Sequence, residues 1–165
     1  MAQMKSFSPL WLLLTTMFAQ AAEPQTTNIT DFPVAPKSRP QAIVAGPDKA
    51  IWFGTSTRIY RLTTDGKSSE FKLPDNLTST VGGTVVQSLV FGPDGNLWGA
   101  YNQGNVIWRM TPTGEFTDFK IPTPKAWPRD MAVGPDGNIW FTEMVGNKIA
   151  KITAKGEITE YVQTS

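Results

Sequence analysis

The stretch "GPDGNIWFTEMVGNKIAKITAKGEITEY", residues 134–161, repeats a phrase that has already occurred twice in the chain. "GPDGNLWGAYNQGNVIWRMTPTGEFTDF" starts at Gly92, and "GPDKAIWFGTSTRIYRLTTDGKSSEF" starts at Gly46. The opening glycines are 46 and then 42 residues apart, a period at which each copy is one supersecondary unit that cannot bury its faces alone. Only the third copy carries a glutamate, Glu143, after its "WFT".

Inside each copy the apolar residues follow the two-residue period of strands, broken by turn residues, with no sustained helical stripe. In the third, "RDMAVGP" runs into Pro135-Asp136-Gly137, where proline presets φ and glycine accepts a positive one. "NIWFTEM", "KIAKIT" and "EITEYV" follow as three further strands, closed in turn by "VGN" and "AKG". Four antiparallel strands in about 42 residues make one β-propeller blade. The fold expected is all-β, with blades at about 38–74, 85–122 and 127–163 and an incomplete ring, since closure takes about four to eight blades. "ITDFPV", residues 29–34, matches the fourth-strand phrases and reads as an orphan outer strand of a preceding blade. Residues 75–84, "DNLTSTVGGT", read as a longer surface connection.

Residues 1–21 read as a signal peptide. Lys5 is followed by the apolar run "LWLLLTTMF" and by Ala19-Gln20-Ala21, whose small residues suit a signal peptidase; the run is too short to span a bilayer. Cleavage would leave residues 22–165 as an exported partial propeller, periplasmic or secreted, with no membrane attachment. It would also remove Lys5, leaving 14 positive against 14 negative side chains, so no basic footprint for nucleic acid is present. The chain has no cysteine and no histidine. The first excludes disulfides and thiol chemistry; the second removes the commonest general base and transition-metal ligand.

Trp52, Trp98 and Trp140 share one place in the three copies and are expected to fill the core between blades. The turn aspartates are expected to bond their own backbone and not a calcium ion, which needs several acidic ligands in one loop. Where the framework repeats and the side chain changes, a ligand site is expected. Thr55, Tyr101 and Glu143 stand at one such position, and Gln41-Ala42, Gln87-Ser88 and Arg129-Asp130 at another, all expected to face one end of a central channel. Glu143 is a candidate metal ligand with Asp130 as a second carboxylate, or an ion-pair partner of Arg129.

The phrases "GPDGNIWFTE", "GNKIAKIT", "GEITEY", "FKLP" and "FKIP" closely resemble the blade repeat of the virginiamycin B lyase, or streptogramin lyase-like, propellers. The resemblance implies a seven-bladed enzyme of about twice this length that opens the ester of a cyclic depsipeptide antibiotic by elimination, with magnesium held partly by glutamate and a histidine as base. Glu143 matches a repeat position that can carry the metal-ligand glutamate, but Val145 stands where the histidine would be wanted. Two readings follow. One is an exported propeller that binds a ligand or acts as a scaffold without lyase chemistry. The other is a magnesium-dependent carbon–oxygen lyase whose catalytic residues lie in further blades or come from self-association.

Overall fold

The computed structural model describes residues 30–32, 39–78 and 86–162. The expected leader, most of the expected orphan strand and residues 79–84 of the connection lie outside them. A contact-based division places residues up to Asp31 in one unit and Phe32 onward in another, and the architecture below belongs to the second.

Among the described residues, twelve strands form three four-stranded antiparallel sheets, each a meander in chain order. The first comprises β1 (Ile43–Ala45), β2 (Ile51–Gly54), β3 (Arg58–Leu62) and β4 (Ser68–Lys72). The second comprises β5 (Ser88–Phe91), β6 (Leu97–Tyr101), β7 (Val106–Met110) and β8 (Phe116–Lys120). The third comprises β9 (Pro128–Val133), β10 (Ile139–Glu143), β11 (Lys148–Ile152) and β12 (Ile158–Val162). A 3-10 turn, Asp75–Leu77, opens the longer connection and buries Leu77. The expected four-strand blades are therefore present. Their first strands lie side by side, and Met131 N donates to Ser88 Oγ at 3.2 Å across the β5–β9 boundary.

The repeated phrase has a local physical cause. Each turn aspartate accepts a hydrogen bond from the indole N–H four residues on, at 3.1 Å for Asp48–Trp52, 3.1 Å for Asp94–Trp98 and 2.8 Å for Asp136–Trp140. It also accepts the backbone N–H two residues on, as expected for an aspartate turn. Gly46, Gly92 and Gly134 lie under those rings: a Cβ there would come within 2.5, 2.7 and 2.2 Å of the indole. Each tryptophan then stacks on the fourth-strand aromatic of its own sheet, Trp52 on Phe71, Trp98 on Phe119 and Trp140 on Tyr161, with centroids 5.6, 5.5 and 5.4 Å apart.

The first two stacks lie in the interfaces between sheets, and the third lies on the outer face of the third sheet. Trp52, Ile59 and Leu73 of the first sheet meet Leu89, Leu97, Trp108 and Met110 of the second. Trp98, Ala100 and Ile107 of the second meet Ile139, Phe141, Ala150 and Ile152 of the third. Trp52 and Trp98 are 5% and 1% exposed, which places them in the core as expected, whereas Trp140, expected there too, is half-buried on a face that no further sheet among the described residues covers. The turn before each fourth strand holds a glycine at φ +86, +92 or +88, and on it rests the aromatic of the preceding unit: Phe71 over Gly114 and Phe119 over Gly156. Phe32 occupies the same seat over Gly66, so the aromatic of "ITDFPV" is placed as an outer-strand aromatic would be.

Candidate functional site

Each variable position sits at the end of the sheets where the second strand turns into the third. At this end the chain enters the first strand, with Gln41 N bonding Gly54 O and Gln87 N bonding Ala100 O at 3.0 Å each. The two sets of candidates differ in exposure. Thr55 is 1% exposed; its hydroxyl donates to Arg58 O at 3.1 Å and accepts from Arg58 N at 3.0 Å, closing its own hairpin. Tyr101, 6% exposed, is packed against Gly104, where a Cβ would come within 2.4 Å of the ring. Glu143, 1% exposed, lies under Gly146, where a Cβ would come within 2.6 Å of Oε2. Gln41, Arg129 and Asp130 are exposed, and Gln87 is half-buried.

Glu143 has neither partner expected for it. Its two carboxylate oxygens are buried without a hydrogen-bond partner. The Arg129 guanidinium instead places Nη1 3.5 Å from Met144 Sδ, which replaces the expected ion pair. The groups near Glu143 are Glu160, Lys148 and Thr123. Lys148 Nζ donates to Glu160 Oε2 at 2.7 Å and to Thr123 Oγ1 at 2.6 Å, while Thr123 N and Oγ1 donate to the two Glu160 oxygens at 2.9 and 3.0 Å. Burial pulls Glu160 upward, but the bonds from Lys148 and Thr123 outweigh it and hold this carboxyl below its ordinary value. Burial, and then the charge of Glu160, push Glu143 up from 4.5 to about 7, partly opposed by Lys148.

A carboxyl near 7 has the proton affinity of a general base, yet a base must come within hydrogen-bond reach of the proton it takes. Glu143 is sealed beneath its hairpin. The residues also do not fit magnesium. Among the described residues no three acidic or imidazole side chains converge, and the nearest second carboxylate, Glu160, is already neutralised by an ammonium. A hard cation needs oxygen ligands and retained waters, not a lysine inside its shell.

An open feature at this end is a cleft of about 50 Å³ between the second and third sheets, lined by Gln87, Asn102, Trp127, Pro128, Arg129 and Met144. It brings together two sequence candidates, Gln87 and Arg129, while Gln41 borders a separate apolar pocket with Ile43, Ile51 and Phe53. Asn102 Nδ2 donates to Gln87 Oε1 at 3.4 Å. Trp127 and Met144, not recognised from the sequence, are 42% and 48% exposed. Trp127 has φ +54, a conformation that bulky side chains rarely adopt, and Arg39 has φ +46 one residue before Pro40, just as Trp127 precedes Pro128. A signal was present: "PKSRP" at 36–40 and "PKAWP" at 124–128 are the same phrase with the two residues before the second proline changed.

Residues 19–164 match the Virginiamycin B lyase family. Among solved structures, the chain is similar to virginiamycin B lyase from Staphylococcus aureus, with 41% identity, a TM-score of 0.72, and coverage of 79% of this chain and 43% of that one. A catalytically inactive histidine-to-alanine form of that lyase, solved with quinupristin, matches at 41% identity with a TM-score of 0.71, over 79% of this chain and 43% of that one. A streptogramin B lyase structure matches at 37% identity with a TM-score of 0.74, over 82% of this chain and 45% of that one. The chain thus spans less than half the length of these relatives. A search of curated proteins found no match.

Proposed function

Because the chain belongs to the virginiamycin B lyase family, we propose that it is an exported ligand-binding propeller unit that performs no lyase chemistry of its own. The observation that carries this reading is the absence of histidine from all 165 residues. Elimination at an ester needs a base able to take a carbon-bound proton, and in the S. aureus relative a histidine-to-alanine form is catalytically inactive. Among the described residues the carboxyl with suitable proton affinity, Glu143, is 1% exposed and sealed beneath its hairpin. The binding part of the reading is supported by the cleft at Gln87 and Arg129. Export is supported by the pattern of residues 1–21.

The test is incubation with quinupristin and magnesium, followed by chromatography. Elimination opens the ring without changing the mass, so retention time is the readout. The expected outcome is recovered cyclic compound; a ring-opened isomer above the no-protein control would establish the lyase reading instead.

A second reading concerns association. Ile149 occupies in the third sheet the place of Ile59 and Ile107, which are 0% exposed, yet it is 42% exposed. Ile43, at the place of Leu89 (7%), is 70% exposed. These positions form interfaces twice within the chain, so the occupant proposed for the outer face of the third sheet is the first sheet of a second copy.

A further inference from the structure

We propose that the cleft at Gln87 and Arg129 binds a small organic carboxylate bearing a planar ring, the carboxylate on Arg129 and the ring on Trp127. This rests on the ligand-binding reading above and names the class of ligand. The first support is the state of Arg129. Arg58 and Arg61 each hold an acidic partner within 3.2 Å, and Arg109 is spent on Ala154 O and the Trp98 ring, whereas Arg129, at the cleft, forms no ion pair among the described residues. Its guanidinium instead contacts the Met144 thioether sulfur, a weak acceptor. A guanidinium presents a planar fork of donors that matches a carboxylate. The amides of Gln87 and Asn102 border the same cleft.

Size and charge narrow the class. A cleft of about 50 Å³ admits a carboxylate-sized group and leaves the body of the ligand on the exposed surface of Trp127 and Met144. A phosphate dianion calls for more positive charge than one arginine, and Lys148 is committed to Glu160. A cationic ligand on the indole would meet the charge of Arg129.

The backbone gives the third support. Trp127 is held at its positive φ from several sides: Met144 N donates to Trp127 O at 3.1 Å, and Val145 N and Gly146 N donate to Ala126 O at 3.1 Å each. Asn105 Oδ1 accepts from Ala126 N at 2.7 Å, and Asn105 Nδ2 bonds Thr123 O at 2.9 Å. The fold therefore requires a left-handed residue here, which glycine or asparagine would provide with less strain. A tryptophan at such a position is strained and exposed, the pattern of a side chain retained for contact with a ligand.

The experiment titrates the full chain with N-acetylphenylalanine and, separately, with N-acetylphenylalaninamide. The readout is the Trp127 indole N–H resonance, identified by its loss in Trp127→Phe. The expected result is at least ten-fold tighter binding of the acid than of the amide, a preference removed by Arg129→Gln. Trp127→Asn is expected to abolish binding while raising Tm, which separates loss of a ligand contact from loss of fold. Equal binding of acid and amide, or a preference surviving Arg129→Gln, would overturn the carboxylate assignment; a lower Tm in Trp127→Asn would overturn the strain argument. If quinupristin shifts the Trp127 resonance and the acid does not, the carboxylate class is wrong and the ligand-binding reading stands. If neither shifts it, both readings fail.

Discussion

Lys49 and Glu143 are the two residues that depart most plainly from what their positions favour. Lys49 has φ +61 in the turn where the other copies place Gly95 and Gly137 at φ +75 and +72. A side chain in the left-handed region costs about 1 kcal/mol relative to glycine. Lys49→Gly is therefore expected to raise stability by about 1 kcal/mol, read as a higher urea midpoint at unchanged m-value. Glu143 carries the pH dependence. Its folded-state pKa, about 7, lies above its ordinary value of 4.5, so between those values the folded chain holds a proton that the unfolded chain releases. The stability this contributes is complete below about 4.5 and is lost as pH rises through about 7. The expected loss is on the order of 3 kcal/mol between pH 4.5 and 8. Glu143→Gln should flatten the profile and be the more stable protein at pH 8; urea titrations of both proteins at pH 5 and 8 would show it, and parallel profiles would refute it.

At the scale of elements, the turn and the strand that follows it act as one unit, because the aspartate of the turn anchors the indole two strand residues later. The anchor matters most where the ring is most enclosed. Trp98 is 1% exposed, so Asp94→Ala would leave its N–H without an acceptor or water, costing about 1–3 kcal/mol. Trp140 is half-buried, so Asp136→Ala should cost less, despite the shorter bond and the ion pair with Lys151. Equal losses in the two variants, measured by urea unfolding, would mean that the anchor acts through the backbone turn alone. The connector between the second and third sheets is likewise held by a side chain, Asn105 at φ +55, which bonds Ile121 O, Thr123 O and Ala126 N. That accounts for the "GN" of the second copy.

At the scale of the molecule, two sheet faces carry residues that are sealed elsewhere in the same chain. Ile149 and Tyr161 are 42% and 41% exposed on the third sheet, where the second places the buried Ile107 and the half-buried Phe119, and Ile43 is 70% exposed on the first, at the place of the buried Leu89. Pairing of these faces between two copies has one obstacle: Phe32 already rests over Gly66, the seat that Tyr161 of a second copy would take. Association is thus expected to compete with Phe32. Light scattering at tens of micromolar should give the mass of two chains, Ile149→Asp should give one, and Phe32→Ala should tighten the pair by emptying the seat. A single-chain mass for the parent protein, or weaker association of Phe32→Ala, would contradict the pairing.

The three-fold repetition, its twelve strands and the burial of Trp52 and Trp98 were legible in the sequence because short-range physics sets them: a two-residue period, turn chemistry at fixed offsets, and an aspartate four residues from its indole. The setting of Glu143 was half legible. Its parity with Ile139 and Phe141 along β10 places it on the buried face, although its residue type had marked it for the channel. What only the tertiary structure decided depends on segments distant in sequence. Thr123 and Glu160 converge beside Glu143 across 37 residues, so that Lys148 is spent on Glu160 and Arg129 is left unpaired. The left-handed turn that exposes Trp127 is held by backbone bonds from residues 144–146 and by the side chain of Asn105. No local pattern encodes those bonds, because their partners are chosen by how one sheet packs against the next.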